Sequence, residues 1–379
     1  MLLNSNPVYY TPEHQDFRST VRRFFETEVL PFADEWDELG EFPRALYKKA
    51  ADAGLLQVGF PEAYGGIECD TFFKIILFEE RAWGGSGGVA SGLFSHTIGI
   101  PHLCQFGPEH LKQQVIPEVL SGEKIAALAV TEPSGGSDVS RIKTTAKRQG
   151  GHYIVNGSKI FITSGMRADY FTVAVKTDEK EISLILVDGD TPGITRAPLR
   201  KMGWWASDTA EIGFQDCKVP VGNLIGAEGD GGKMLMHNFN QERLALSAAS
   251  CGYAQVCLSD ALEWARTRYT FNKPLSERQV IRHKIVDMVS HIESTRSLID
   301  SLAFRIESGE SPTAQIAMAK NLSTRTFQMC ADSAVQILGG AGFMRGTRVE
   351  RLYREVKVMM IGGGAEEIMK DLIANRLDL

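Results

Sequence analysis

The chain has 379 residues and a formal net charge of −6, and hydrophobic residues make up 43% of it. This length predicts two or three packed domains with a large core, which need no disulfide or metal to fold. The acidic balance and the lack of a Lys/Arg cluster argue against nucleic-acid binding, and the interspersed charges are typical of a solvated surface.

The first third of the chain, residues 1–124, is predicted to be a helical domain. Its clearest helix carries apolar side chains at helical spacing, namely Val21, Phe24, Phe25 and Val29. Pro31 is expected to end this helix, because proline cannot continue it. Further helical patterns cover residues 72–83 and 109–120.

The middle third, residues 125–234, is predicted to be a β domain. Short β-branched and aromatic runs at residues 171–175, 182–187 and 210–214 are separated by Gly and Pro. The dipeptide Asn156-Gly157 predicts a two-residue hairpin turn between two strands. This pattern favours a small antiparallel sandwich or barrel over a parallel βαβ sheet.

The last third, residues 235–379, is predicted to be a helical bundle. Long helical patterns cover residues 234–268, 277–308 and 312–338, and a fourth helix is expected after Glu366. The predicted fold class is therefore α+β and multidomain. Its parts are an N-terminal helical domain, a middle antiparallel β sandwich or barrel, and a C-terminal four-helix bundle.

The cysteines and the N-terminus indicate the compartment. The six cysteines form no C-x-x-C pair and none lies beside histidines at zinc-ligand spacing, so no metal site is predicted. Scattered thiols of this kind fit a reducing cytosol. No signal peptide and no apolar run long enough to span a bilayer are visible, so a cytoplasmic protein is expected.

Glycine-rich segments give little evidence of a nucleotide site by themselves. Residues 226–232 lack the phosphate-loop spacing and are interpreted as a linker between the β domain and the bundle. No G-x-G-x-x-G follows a strand and opens a helix, so a Rossmann dinucleotide site is not predicted. Residues 84–92 are crowded with small residues, and they too match no nucleotide template.

The segment 131–138, Thr-Glu-Pro-Ser-Gly-Gly-Ser-Asp, is a candidate anion site. Gly135 and Gly136 would let backbone N–H groups approach an anion, and Ser137 could donate a further hydrogen bond. On these residues alone, an ordered turn with local Ser and Asp caps explains the pattern equally well.

Four motifs occur in one order along the chain. They are residues 129–138, Phe161-Ile162-Thr163, Arg268-Tyr269-Thr270-Phe271 and the run Gln-Ile-Leu-Gly-Gly-Ala-Gly-Phe at residues 336–343. This series resembles the acyl-CoA dehydrogenase family over nearly the whole chain. The similarity is greatest to its long-chain, isovaleryl-CoA and citronellyl-CoA dehydrogenase-like branches. Arg141 and Gly346 depart from the family pattern at motif edges.

The resemblance implies a bound FAD. Residues 128–131 would line the flavin ring, Gly136 and Ser137 would meet the pyrophosphate, and residues 161–163 would cover the other side of the ring, with Thr163 near N5. Later residues would hold the adenine half across a subunit boundary, which implies a homotetramer. The residues implied to contact FAD are Leu128, Val130, Thr131, Gly136, Ser137, Phe161, Ile162, Thr163, Arg268, Thr270, Phe271, Gln279, Gln336, Gly339, Gly340, Ala365 and Glu367. From sequence alone, a core position for Phe161 and a surface position for Gln336 remain open alternatives.

The reaction implied by the family is α,β-dehydrogenation of an acyl-CoA to the trans-2-enoyl-CoA, with the β-hydride passing to flavin N5. A carboxylate must remove the weakly acidic α-proton while hydrogen-bond donors polarise the thioester carbonyl. Where many members carry this glutamate near the C-terminus, this chain has Gly363. Glu242 matches the alternative base of the long-chain and isovaleryl-CoA branches, so the resemblance implies catalysis by Glu242.

The exchange of a glutamate for Gly363 is expected to accompany Glu242, because a carboxylate arriving from a helix needs a small residue opposite it. The Gly363 N–H could then donate to the thioester oxygen. The resemblance also implies substrate contacts from Ser137, Asn240, Arg243 and Gly363. Without the family, Glu242 would be interpreted as a surface acid near a helix N-terminus.

Two further acids are fallback bases. Glu366 and Glu367 lie just beyond the expected position of the C-terminal base. Ala365 stands where a threonine is common, so one flavin contact is expected to be missing.

The substrate and the electron acceptor stay open at this level. Residues 84–92 would either leave room for a long or branched acyl tail or form a Gly-rich interhelical loop. A decarboxylating glutaryl-CoA enzyme is disfavoured by Gly363. The family implies an electron-transfer flavoprotein as acceptor. The alternatives are a flavin monooxygenase or oxidase on the same scaffold, against which Glu242 argues, and a catalytically silent FAD-binding protein.

Overall fold

The computed structural model describes residues 8–178 and 181–379. Helices come first, a β-sheet follows, and long helices complete the chain, which confirms the predicted fold class. The N-terminal helices are α1 (Pro12–Glu28), α2 (Ala33–Leu39), α3 (Ala45–Asp52), α4 (Thr71–Glu80), α5 (Gly87–Leu93), α6 (His96–Gly99), α7 (Pro101–Phe106) and α8 (Glu109–Leu120).

Local capping explains where the longer N-terminal helices begin and end. The Thr11 hydroxyl accepts a hydrogen bond from the His14 N–H at the start of α1, and Asp70 caps two N–H groups of α4. The helix α1 ends at Glu28, before Pro31, as predicted. The helix α8 has the predicted bounds although Pro117 lies inside it.

The middle strands form one mainly antiparallel sheet. They are β1 (Ala126–Ala129), β2 (Thr145–Gln149), β3 (His152–Ile162), β4 (Tyr170–Lys176), β5 (Ile182–Asp188), β6 (Ile194–Pro198), β7 (Ala210–Pro220) and β8 (Leu224–Ile225). The strand order is β6-β7-β3-β2-β4-β5-β8, with β1 pairing in parallel with β4. The predicted preference for antiparallel pairing holds, except for β4, which pairs in parallel with β1 and, through one residue pair, with β2.

The predicted hairpin turn at Asn156-Gly157 is wrong. Both residues lie inside β3, where the pairing with β7 shifts register between Val155 and Gly157. Gly157 has φ +149, and a Cβ there would lie 2.4 Å from Thr144 Oγ1, so the glycine serves a β-bulge. The turn between β2 and β3 falls instead at residues 150–151.

The C-terminal part contains α9 (Gly231–Thr267), a two-stranded hairpin of β9 (Tyr269–Thr270) and β10 (Lys273–Pro274), α10 (Gln279–Glu307), α11 (Thr313–Leu338), α12 (Gly340–Phe343), α13 (Arg348–Ile361) and α14 (Glu366–Asn375). The three long helices and the helix after Glu366 agree with prediction. The helix α13 was not predicted, although its buried Val349, Leu352, Val356 and Met359 follow helical spacing.

Three hydrophobic clusters form the core of the described residues. One joins the N-terminal helices to the sheet, and a second joins α4 to the long C-terminal helices. The third contains Leu103 of α7, Ala126 of β1 and Leu235 of α9. This third cluster fixes the first turns of α9 against the sheet and so positions the candidate site. No helix among the described residues has the length and hydropathy needed to cross a membrane.

Candidate active site

Glu242 and Gly363 face each other, as predicted from the residue types at the two positions. Glu242 lies three turns inside α9 and is half-buried, so the interpretation as a surface acid at a helix N-terminus is wrong. A Cβ built on Gly363 would lie 3.7 Å from Glu242 Oε1 and 2.6 Å from Leu246 Cδ1. A side chain opposite the Glu242 carboxylate would therefore have to displace Leu246 and adopt the left-handed φ of +66.

The electrostatic environment of Glu242 suits a general base. Burial raises the pKa of its carboxyl above the ordinary range, and the charges of Arg243 and Lys320 oppose that rise. A carboxylate with a raised pKa holds a proton more strongly than an exposed one. Burial thus makes the Glu242 carboxylate more basic, and the two nearby cations favour its ionised form.

The last two residues of α13 and the three glycines that follow, together called the 360–364 loop, are held by side chains from two helices. Arg243 Nε donates to the Gly363 carbonyl oxygen at 3.2 Å, and Lys320 Nζ donates to the carbonyl oxygens of Met360 at 3.0 Å and Gly364 at 2.7 Å. Sequence reasoning missed Lys320, because a lysine within a helical pattern is usually exposed.

The fallback bases are less suited to proton abstraction. Glu366 accepts hydrogen bonds from Arg325 Nε at 3.0 Å and pairs with Lys370 at 2.7 Å. The hydrogen bonds from Arg325 and Lys370 lower the pKa of Glu366 to about 2. Glu367 is exposed in the first turn of α14. Two cations occupy Glu366, and Glu367 faces solvent, whereas burial raises the pKa of Glu242.

The 131–138 turn is organised by a buried ion pair that sequence reasoning also missed. Glu132 Oε1 accepts from Lys159 Nζ at 2.7 Å and from the Thr144 N–H at 2.9 Å. Lys159 also donates to the Val130 carbonyl oxygen at 3.0 Å. Burial lowers the pKa of Lys159 to about 8, although Glu132 favours its charged form. The pair ties the turn to β3.

The exposed end of this turn fits an anionic group. Gly136 and Ser137 are exposed, and neither backbone N–H donates a hydrogen bond to any described residue. Free amides next to a glycine form a concave site for a phosphate or pyrophosphate. Leu128, Val130 and Thr131, which precede them, are half-buried.

Phe161 fits a flat aromatic ligand. It is the penultimate residue of β3, has φ +63, and 65% of its surface is exposed. A bulky residue in this conformation with an exposed ring is uncommon and indicates a functional constraint. Thr163 is half-buried, whereas the Ile162 side chain lies in the core, so only its backbone can face a ligand. The turn and Phe161 together fit the expected flavin cofactor.

The residues implied for the adenine half form a separate exposed group. Phe271 is 93% exposed with φ +50 at the tip of the β9–β10 hairpin, beside Arg268, Thr270 and Gln279. Gln336, Gly339 and Gly340 are exposed at the end of α11. No hydrogen bond between described residues joins either set to the 131–138 turn.

The remaining implied residues have other local roles. The Asn240 amide donates to Thr313 Oγ1 at 2.9 Å, which links α9 to the start of α11. Ala365 is the N-cap residue of α14. Arg141 lies beside the 131–138 turn, where its N–H donates to the Asp138 carbonyl oxygen at 3.3 Å, and Gly346, with φ +89, lies near Asp34.

The small residues at positions 84–92 permit close packing. A Cβ on Gly87 would lie 2.4 Å from Trp204 Nε1. A Cβ on Gly92 would lie 2.8 Å from Phe42 Cε1. The alternative of an interhelical loop is wrong for residues 87–92, which lie in α5, and the close packing gives no support to a spacious acyl pocket there.

Replacing Gly363 by alanine is expected to reduce turnover while FAD stays bound. Gly363 has φ +66, which costs a non-glycine residue about 1–3 kcal/mol, and the new methyl group would collide with Leu246. Steady-state kcat and the visible spectrum measure the two effects. Gly309→Ala is the matched control, because Gly309 has φ +87 with nothing within 4 Å of an added Cβ. Equal kcat in both variants would contradict crowding at Gly363.

Known proteins of one family match the entire chain. Profiles of the acyl-CoA dehydrogenase N-terminal, middle and C-terminal domains match residues 11–123, 127–217 and 229–377. The rat mitochondrial long-chain specific acyl-CoA dehydrogenase is 34% identical over 375 residues, which are 97% of this chain and 87% of the rat protein.

Solved structures agree with these matches. A Mycobacterium smegmatis chain assigned as an acyl-CoA dehydrogenase is 42% identical, with a TM-score of 0.96 over 98% of this chain and 99% of that one. A Bacillus anthracis acyl-CoA dehydrogenase complexed with FAD is 28% identical, with a TM-score of 0.93 over 98% of this chain and 68% of that one. This chain belongs to the acyl-CoA dehydrogenase family, whose members use FAD to dehydrogenate acyl-CoA thioesters.

Proposed function

We propose that the protein dehydrogenates a long-chain or branched acyl-CoA between its α and β carbons, with Glu242 as the base. The observation that carries this proposal is the half-buried Glu242 carboxylate opposite Gly363, where a side chain would have to displace Leu246. The product is the trans-2-enoyl-CoA.

Residues of this chain perform the proton transfer. The α C–H bond breaks and its proton goes to Glu242, whose pKa is raised by burial, so that its carboxylate is a stronger base than an exposed one. The Gly363 N–H donates to the thioester oxygen, which stabilises the negative charge that develops as the proton leaves. When bound, FAD supplies the two-electron oxidant that takes up the β hydrogen.

The cofactor is held by the exposed groups described above. The Gly136 and Ser137 amides bind the pyrophosphate, and Phe161 and Thr163 cover one side of the flavin ring. In a second copy of the chain, Arg268 and Phe271, with Gln279, Gln336 and Gly340, would bind the adenine half of the same FAD. The exposed Phe271 tip supports this arrangement, which makes a homotetramer the expected assembly.

The substrate class and acceptor follow from the family branch. The base position on α9 and the similarity to the rat long-chain specific enzyme support a long or branched acyl chain. An electron-transfer flavoprotein is the proposed acceptor.

An anaerobic titration of the FAD-loaded protein tests the proposal. Long, medium and branched acyl-CoAs are added while the visible flavin absorbance is recorded. Prompt bleaching by long or branched substrates is the expected result, followed by reoxidation by electron-transfer flavoprotein. Full FAD occupancy without bleaching by any substrate would reject the dehydrogenase. Rapid peroxide formation in air would instead support an oxidase.

The rate of dehydrogenation should fall at acid pH above the range of an ordinary carboxyl. Glu242 must be ionised to accept the proton, and burial raises its pKa above the usual value of about 4.3. Activity is thus lost as the pH falls through this raised pKa. The acid limb of kcat/KM against pH gives the value in the free enzyme. A limb at or below pH ~4.3 would contradict a buried base.

A further inference from the structure

Lys320 is a fully buried cation that the mechanism above does not use. It lies on α11 with 0% of its surface exposed, and no ion pair among the described residues includes it. Lysine is almost never fully buried unless it is paired. Its ammonium instead donates to two backbone carbonyl oxygens of the 360–364 loop. A buried ammonium whose hydrogen bonds go to this loop indicates that the position of the loop matters for function.

The backbone at Gly363 and Gly364 is not helical, so the hydrogen bonds of a helix cannot hold these two residues in place. Gly363 and Gly364 have φ +66 and +100. Glycine adopts positive φ about as readily as negative φ, so other contacts must select these values. The Lys320 bonds lie on either side of Gly363, to Met360 and to Gly364, and Arg243 Nε donates to Gly363 itself. These donors fix three carbonyl groups and, through them, the direction of the neighbouring N–H groups.

We propose that Lys320 is a positioning residue for the dehydrogenation, because its ammonium holds the 360–364 loop so that Gly363 faces Glu242. Its positive charge also favours the ionised form of that carboxylate. The inference rests on the proposed role of Glu242 and deepens it. Lys320 touches neither reacting carbon, so it acts through the loop and through its charge.

The charges around the site predict the direction in which the pKa of Glu242 shifts when Lys320 is removed. Arg243 on α9 and Lys320 on α11 both lower the pKa of Glu242, against the larger effect of burial. Burial lowers the pKa of Lys320 itself to about 8, Arg243 lowers it further, and the acids Glu242, Glu366 and Glu367 oppose this. Below pH 8 Lys320 is charged, so its removal raises the pKa of Glu242. The acid limb then moves to higher pH.

Two substitutions in the FAD-loaded enzyme separate the effect of the Lys320 hydrogen bonds from the effect of its positive charge. Lys320→Met loses both, and kcat is expected to fall by about tenfold to a hundredfold, the range in which displaced catalytic groups act. Lys320→Gln keeps amide donors without the charge. It should recover part of kcat while its acid limb stays shifted upward as far as that of Lys320→Met.

A structural readout checks the loop independently of turnover. Hydrogen–deuterium exchange of peptides covering residues 360–366 should be faster in Lys320→Met than in the wild type. Thr326→Val is the matched control on the same helix. The Thr326 hydroxyl is buried and hydrogen-bonds Thr295 Oγ1 at 2.9 Å, away from the loop. This control should lower the melting temperature and leave both the exchange of the loop and the acid limb unchanged.

The outcomes distinguish this inference from the proposed function. Wild-type kcat, acid limb and loop exchange in FAD-loaded Lys320→Met would overturn the positioning role while Glu242 remained the base. The positioning role is also overturned if both Lys320 variants lose activity only in proportion to melting temperature, as Thr326→Val does. If Glu242→Gln keeps its turnover, the proposed base fails, and loop exchange alone then decides whether Lys320 holds the loop.

Discussion

The Glu242→Gln variant is expected to keep its FAD and to lose turnover by about 10²- to 10⁴-fold, the contribution typical of a general base. Glutamine matches glutamate in size, so the half-buried site keeps its shape and Gly363 stays opposite it. The amide has no useful basicity, and the α-proton therefore stays on the substrate. Stopped-flow bleaching of the flavin by an acyl-CoA, compared with the wild type, measures the loss.

The stability of Glu242→Gln is expected to be unchanged or higher, in contrast to its lost turnover. Burial raises the pKa of Glu242, so the folded protein binds its proton more tightly than the unfolded chain does. That contribution to stability is complete below the unfolded pKa and is lost as the pH rises through the folded pKa. Well above the folded pKa the charged carboxylate therefore destabilises the fold. Under those conditions Glu242→Gln is expected to melt at the same temperature as the wild type or higher.

A control on the same helix separates catalysis from general charge effects. Glu263 lies exposed near the end of α9, and Glu263→Gln removes the same charge far along the helix. Its turnover should equal that of the wild type. Wild-type turnover in Glu242→Gln would remove Glu242 from the mechanism and direct attention to Glu367, since Arg325 and Lys370 occupy Glu366.

The order of helices and strands was predictable because local patterns carry it. The spacing of apolar residues in α8 and in the long C-terminal helices is a property of short windows of sequence. The hairpin at Asn156-Gly157 was wrong for the same reason. Its turn chemistry is local, but the contact of Gly157 with Thr144 that fixes a bulge is not.

The candidate site was predictable only in part. The pairing of Glu242 with Gly363 followed from the family resemblance, and the exposed Phe161 and Phe271 lie where a cofactor could reach them. Lys320 was missed because its partners are backbone carbonyls 40 and 44 residues away along the chain. Such partners carry no side-chain signal, so no motif or spacing could identify them.

The Lys159→Met variant is expected to lose both stability and FAD. Lys159 has 0% of its surface exposed, and its removal leaves the buried Glu132 carboxylate without its cation. Breaking a buried ion pair from one side typically costs about 3–5 kcal/mol. The Val130 carbonyl oxygen also loses its donor, so the 131–138 turn, which is the proposed site of the FAD pyrophosphate, loosens. Chemical denaturation and the FAD content of the purified protein measure the two losses.

The origin of this loss can be assigned by removing the second partner. Glu132→Gln combined with Lys159→Met replaces the buried charge pair by a neutral pair, and removing both partners is less costly than removing one. The double variant should therefore be more stable than Lys159→Met alone. Lys147→Met, at an exposed position on the neighbouring β2, should change neither quantity. If Lys159→Met keeps wild-type stability and full FAD, the pair does not hold the turn, and the free amides of Gly136 and Ser137 must be ordered by the cofactor itself.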